Sequence, residues 1–149
     1  MATLTGMATI FTKIIDGQIP GQLLWKDEVC AVFLDIEPLT TGHALVVPRA
    51  EIDHWLDLPG ETLAHLMDVA ARIGRAQETV FSPARIGLIV QGFEVPHAHL
   101  HVFPAHDPGD FELGRKSSRE PERLAQDAAA LRAALREMGH AEQVPSDGT

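Results

Sequence analysis

The 149-residue sequence has one cysteine, few basic residues and no long apolar run. A single Cys30 excludes an internal disulfide. Its apolar setting, Val29-Cys30-Ala31-Val32-Phe33, reads as buried core rather than as a reactive thiol. Twelve Lys and Arg stand against 21 Asp and Glu, a net charge of −9. That balance argues against a nucleic-acid polymer as partner, because such binders need basic surface. It still allows a single nucleotide, which a few local donors can hold. No stretch reaches the roughly 20 apolar residues of a membrane span, so no membrane partner is expected. The N-terminus lacks a basic start followed by an apolar stretch, so no signal peptide is expected and the cytoplasm is the expected location. Met1 to Gly6, with a second Met at position 7, reads as an upstream start. No internal repeat is visible.

What is present is ordinary for a globular chain: 45% hydrophobic and 22% charged residues. Length and composition predict one domain over 1–149 with a proper core. Leu23 to Lys26 and Val29 to Leu34 read as a hairpin around Asp27-Glu28. His43 to Pro48 and Ala84 to Gln91 read as further strands. Leu58-Pro59-Gly60-Glu61 opens a helix to about Glu78, with Leu63, Leu66, Met67, Ala70, Ile73 and Gly74 on its apolar side. His65, at the edge of that stripe, reads as solvated, and Trp55 as packed on the helix or on a dimer partner. Residues 107–118 look irregular, and Pro121 to Met138 reads as a C-terminal helix. The expected architecture is α+β: an antiparallel sheet of about five strands, one main helix and an added C-terminal helix.

One stretch stands apart: Pro96-His97-Ala98-His99-Leu100-His101-Val102-Phe103-Pro104. Side chains alternate across a strand, so His97, His99 and His101 share one face and Ala98, Leu100 and Val102 the other. Three aligned imidazoles fit three readings: solvated surface histidines, a three-His metal site of the kind zinc accepts, or phosphoryl chemistry. In the last, one ring attacks phosphorus while its neighbours donate to phosphate oxygens. The pattern alone leaves the last two open. The preceding loop, Gln91 to Pro96, reads either as a plain turn or as a phosphate loop, with Gly92 allowing close backbone approach.

The stretch His97 to Phe103 resembles the histidine triad (HIT) signature, His-x-His-x-His followed by two apolar residues. Three further segments resemble the Hint-type branch of that superfamily in the same order: Phe11 to Pro20, Phe33 to Pro38, and Gly42 to Pro48. The likeness covers residues 10 to 104. It implies a HIT-like core over about 8–106, an extension over 107–140 and a frayed tail over 141–149. It further implies a homodimer and a purine nucleotide ligand such as AMP or GMP, with no cofactor. Phe11 and Ile14 are then candidates to line the base, Asp35 to accept the ribose hydroxyls, and Ile36 to border that pocket. His43 would stand behind the triad in a hydrogen-bond chain that orients it.

The activity this implies is hydrolysis or transfer at the α-phosphorus of a nucleoside phosphate through a covalent nucleotidyl-histidine. His99 is the expected nucleophile, His101 the donor to a phosphate oxygen, and His97 the residue that orients His99, partly through its backbone carbonyl. Gln91 and Gly92 are expected beside the phosphate. Two alternatives stand beside it: a nucleotide-binding adaptor with weak or no catalysis, and a metal-dependent hydrolase ligated by the three histidines.

Two departures from the branch matter. Many relatives bind structural zinc through Cys-x-x-Cys and a later His, but here the matching positions are Thr9, Thr12 and Glu51, so no metal is expected there. Relatives place Ser or Gln just before the triad to assist the leaving group, where this chain has Phe93-Glu94-Val95-Pro96. A carboxylate beside phosphate repels it unless protonated or paired.

Overall fold

The computed structural model describes residues 8–146, so the upstream-start reading of Met1 to Gly6 lies outside the described residues. Thr9 opens α1 (Ile10–Ile15) by accepting the Thr12 N–H on its hydroxyl at 3.2 Å. Short apolar runs bounded by turn formers then become strands: β1 (Leu23–Lys26), β2 (Cys30–Leu34) and β3 (Ala44–Pro48). The long helix α2 (Gly60–Phe81) leads to β4 (Arg85–Ile89) and β5 (Leu100–Ala105), and α3 (Pro121–Leu135) follows. The five strands form one antiparallel sheet in the order β1-β2-β3-β5-β4. The α+β architecture is as the sequence predicts, including the β1–β2 hairpin. Among the described residues no helix is long and apolar enough to cross a membrane.

Both faces of the central strands are covered, so β2 and β3 are buried at every position instead of alternating. On one face Val32, Val46, Leu100 and Val102 pack against Leu66, Ile73 and Leu131 of α2 and α3. On the other, Phe33, Leu45 and Val47 meet Phe11 and Ile15 of α1. His101 pairs with Leu45 across the β3–β5 ladder and so belongs to the α1 face. Each fully buried Leu, Ile or Phe adds roughly 1.5–3 kcal/mol of transfer free energy, which anchors the sheet that carries the histidines.

Several local expectations shift. The triad segment is not strand throughout: β5 begins at Leu100, because the His97 N–H turns back to Val95 O at 2.7 Å and the Ala98 N–H goes to Ile52 O at 2.7 Å. Helix α2 continues past Glu78 because Val80 and Phe81 still pack on the core, and it ends at Ser82 with φ 49°. Helix α3 stops at Leu135, short of Met138, ahead of a distorted turn in which Gly139 has φ 93°. His65 is not free in solvent, since its Nε2 lies 2.7 Å from Asp27 Oδ2. The start of the expected frayed tail is held: Lys26 N–H donates to Gln143 O at 2.8 Å and Val144 is buried. Residues 147–149 lie outside the described residues. Trp55 is half-exposed.

Candidate active site

Four histidines meet on the α1 face, and their tautomers follow from their partners. His97 is fully buried, and its Nε2 lies 2.7 Å from Pro48 O. A carbonyl only accepts, so Nε2 carries the proton, and Nδ1 then accepts from the Thr9 hydroxyl at 2.7 Å. His99 Nδ1 lies 2.7 Å from His97 O, so Nδ1 is the protonated nitrogen and the Nε2 lone pair is left free.

The second pair reads the same way. The Leu39 N–H donates to His43 Nδ1 at 2.9 Å, so neutral His43 carries its proton on Nε2. That Nε2–H points at His101 Nδ1, 3.0 Å away. His101 is therefore protonated on Nε2, which is buried and has no hydrogen-bond partner among the described residues. One ring thus offers a lone pair and its neighbour, 4.9 Å away between centroids, offers an N–H donor.

Burial keeps these rings neutral. It pushes His43 and His101 down to about 3; Lys116 and His99 add to the effect at both rings, and His43 adds to it at His101. His97 and His99 are also lowered, again chiefly by burial. A neutral ring at neutral pH is the form that can act as nucleophile.

The other residues singled out from the sequence fall around these rings unevenly. Phe11 is buried with its ring edge-on to His99 at 4.9 Å and near His97 at 5.6 Å, so it packs against the triad. Ile14 packs into the same cluster, while Ile36 is largely exposed. Asp35 is buried; its Oδ1 takes the Glu37 N–H at 2.9 Å, the turn chemistry expected of an aspartate ending a strand. Gln91 and Gly92 line a cleft of about 420 Å³ with Trp55, Phe93 and His99. Glu94 is half-exposed, with a carboxylate oxygen within 4.8 Å of ligand nitrogens of His99 and His101.

Three residues hold functional-looking places that their sequence did not announce. Gln77, fully buried on α2, donates through Nε2 to Gly42 O and Val102 O, each at 2.9 Å. It ties the helix to the turn before His43 and to the residue after His101. Its one sequence signal is a polar residue inside an apolar helical stripe. At that turn Gly42 has φ 91°, and a Cβ there would run into the Phe81 ring. Thr9 and Lys116 are the others. Lys116 places Nζ 2.7 Å from Asp35 Oδ2 and 3.5 Å from Glu94 Oε1.

The metal question can be tested on the donors. Thr9 gives its hydroxyl to His97 and its N–H to Glu51 Oε2 at 2.7 Å. The Glu51 carboxyl is held below the usual range by that N–H first and by the Thr12 hydroxyl second. Two hydroxyls and a satisfied carboxylate do not fit a metal that prefers thiolate and imidazole. Nor do the three triad histidines form a ligand set. Both His97 nitrogens are committed, and among the described residues His97 joins no group of three close enough to share an ion. The groups Asp35-His43-His101 and Glu94-His99-His101 do converge, but Lys116 already sits on both carboxylates.

The chain is similar to known proteins. The sequence profile of the HIT domain matches residues 16–107. An uncharacterised HIT-like protein of Mycobacterium tuberculosis is 34% identical over 144 residues, 92% of this chain and 99% of its own length. An adenosine 5'-monophosphoramidase of Saccharomyces cerevisiae is 34% identical over 101 residues, 67% of this chain and 64% of its own. Among solved structures, a zinc-bound histidine triad family protein of Mycobacterium smegmatis superposes with a TM-score of 0.76 at 30% identity, covering 91% of this chain and 98% of that one.

Proposed function

The chain belongs to the HIT domain family, and from that premise we propose that it hydrolyses or transfers nucleoside phosphates at the α-phosphorus through a nucleotidyl-His99 intermediate. The observation that carries the reading is the 2.7 Å bond from His99 Nδ1 to His97 O, which leaves Nε2 as a free lone pair on a neutral ring. That lone pair attacks phosphorus, the bond to the leaving group breaks, and the leaving group departs with the electron pair. The attacking ring becomes cationic, and its Nδ1–H bond to the His97 carbonyl strengthens as it does. His101 Nε2–H donates to a non-bridging oxygen as charge builds there. Water then attacks phosphorus, the phosphorus–nitrogen bond breaks, and His99 returns neutral. No metal is needed for these steps.

The yeast relative's name supports a phosphoramidate of a purine nucleotide as substrate. Asp35, Ile36, Phe11 and Ile14 are read as the nucleoside end of the site, Gln91, Gly92 and Glu94 as the leaving-group end. Exposed Trp55, Leu56 and Phe93 are read as surface for a second copy of the chain, in a homodimer of the Hint-type pattern. The competing reading, a nucleotide-binding adaptor, is favoured by Glu94, whose negative charge faces the attack site.

The test is His99→Asn beside the unaltered protein, assayed with adenosine 5'-phosphoramidate. The expected result is a loss of well over about 10³-fold, as for removal of a nucleophile, and a nucleotidyl adduct trapped by acid quench in the unaltered protein only. Unchanged turnover defeats the reading. AMP binding without any adduct selects the adaptor.

A further inference from the structure

Lys116 lies beyond residue 107, where the family match ends, yet it reaches the middle of the site. A strap brings it there. The Ser117 N–H donates to Pro38 O at 3.5 Å and the Arg119 N–H to Ile36 O at 3.3 Å, so 117–119 lie along 36–38. Arg119 is fastened to Asp127 of α3 by bonds of 2.7 and 3.2 Å. The Lys116 side chain is only 11% exposed. Burial works against its charge, but the Asp35 contact and the Asp35 and Glu94 charges outweigh it and hold the ammonium above its usual range. Its field reaches His43, His99 and His101, whose protonation it opposes.

The placement sets up a competition. Asp35 Oδ1 takes the Glu37 N–H, whereas Oδ2 lies against the Lys116 ammonium as an ion pair and has no hydrogen-bond partner among the described residues. A ribose hydroxyl that donates to Oδ2 shares that carboxylate with the ammonium and weakens its hold on it. A displaced, buried ammonium needs another anion within reach. Glu94, 3.5 Å away, is half-exposed and already solvated. A phosphoryl group seated between His99 and His101 would be a few ångströms from Glu94, hence within reach of the same Nζ.

We propose that Lys116 is a phosphate-binding residue of this site, held on Asp35 while the site is empty and handed to a phosphoryl oxygen when a nucleotide's ribose takes that carboxylate. The inference rests on the nucleotide reading above. It makes the chain select nucleotides over nucleosides, with the cation supplied from outside the family core.

The test is calorimetric titration of the full chain, unaltered and as Lys116→Met and Lys116→Arg, with AMP and with adenosine. The quantity read is the ratio of the two dissociation constants within each protein, which is insensitive to the folded fraction. The expected result is AMP binding about tenfold weaker in Lys116→Met, the size of one charge-assisted hydrogen bond. Adenosine should bind no more weakly, and Lys116→Arg should keep the preference for AMP. An unchanged ratio in Lys116→Met overturns the inference, because Lys116 would then be only a counter-ion for Asp35. If that occurs while His99→Asn still abolishes turnover, this inference falls alone. If the unaltered protein binds neither ligand, both readings fall.

Discussion

His43 Nε2 stands 3.0 Å from His101 Nδ1, and this bond decides which nitrogen of His101 carries the proton. The order is set from the backbone outward, from the Leu39 N–H to His43 and from His43 to His101. Removing the first ring should therefore act through the second. His43→Phe is expected to lower kcat about tenfold with little change in KM, and His101→Ala about 10²-fold or more, as for loss of an oxyanion donor. The double variant should be no slower than His101→Ala alone, because coupled residues are not additive. Steady-state kinetics on the four proteins checks this, and effects that multiply would show that His43 does not work through His101.

The same buried rings make stability depend on acid. In an unfolded chain histidine titrates near 6.5, whereas folding pushes His43 and His101 down to about 3 and lowers His97 and His99, burial being the main cause throughout. Between these limits the unfolded chain binds more protons than the folded one. Stability is therefore complete above the unfolded value and falls as pH drops below it. Each histidine that titrates only when unfolded contributes a slope of about 1.4 kcal/mol per pH unit. Urea midpoints should be level above about pH 7 and fall steadily from about pH 6.5 to 4.5. A midpoint flat over that range would contradict the burial of these rings.

How much of this could be read from residues alone differs by kind. The triad's spacing exposed a shared face, and the alternation of His101 with Leu100 and Val102 survives in β5. The expectation that all three histidines sit in one strand failed at His97 and His99, because Ile52 and Val95, distant or local carbonyls, captured that backbone. Tautomers were illegible where they depend on an atom far away in sequence, such as Thr9 against His97, 88 positions apart. Lys116 was illegible for the same reason: an irregular stretch gave no period by which to aim a side chain, and only the strap along Ile36 and Pro38 delivers it. His65 looked solvated by its position on the helix edge, but its partner Asp27 comes from the β1–β2 turn.

Asp27 gathers more bonds than any turn residue needs. Its Oδ1 accepts from the N–H groups of Val29 and Cys30, each at 2.8 Å, and its Oδ2 meets Trp25 Nε1 at 2.8 Å and His65 Nε2 at 2.7 Å. Burial would raise its pKa, but these donors outweigh that and pull it down to about 2. Asp27→Ala is expected to cost about 2–3 kcal/mol, because several donors are left unpaired at once. His65→Ala should cost less, about 1 kcal/mol, since it removes one of the four. Chemical denaturation at neutral pH measures both, and equal losses would place the stabilisation elsewhere.

The last expectation concerns metal. A similar structure at 30% identity is zinc-bound; in this chain the positions where the Hint-type resemblance implies zinc ligands are closed by hydrogen bonds of Thr9 with Glu51 and His97. That closure joins the start of α1 to the segment after β3 and to the first triad histidine, so it can do by itself the tying that a structural ion would do. Incubation with a strong chelator should therefore leave the Tm unchanged. Thr9→Val keeps the shape but removes both the bond to His97 and the helix cap, and should cost about 1–2 kcal/mol. For a chain of this length that corresponds to a fall of roughly 3–6 °C. Differential scanning calorimetry with and without chelator separates the two effects. A chelator-induced fall in the unaltered protein would mean that an ion, and not the Thr9–His97 bond, holds α1 against the triad.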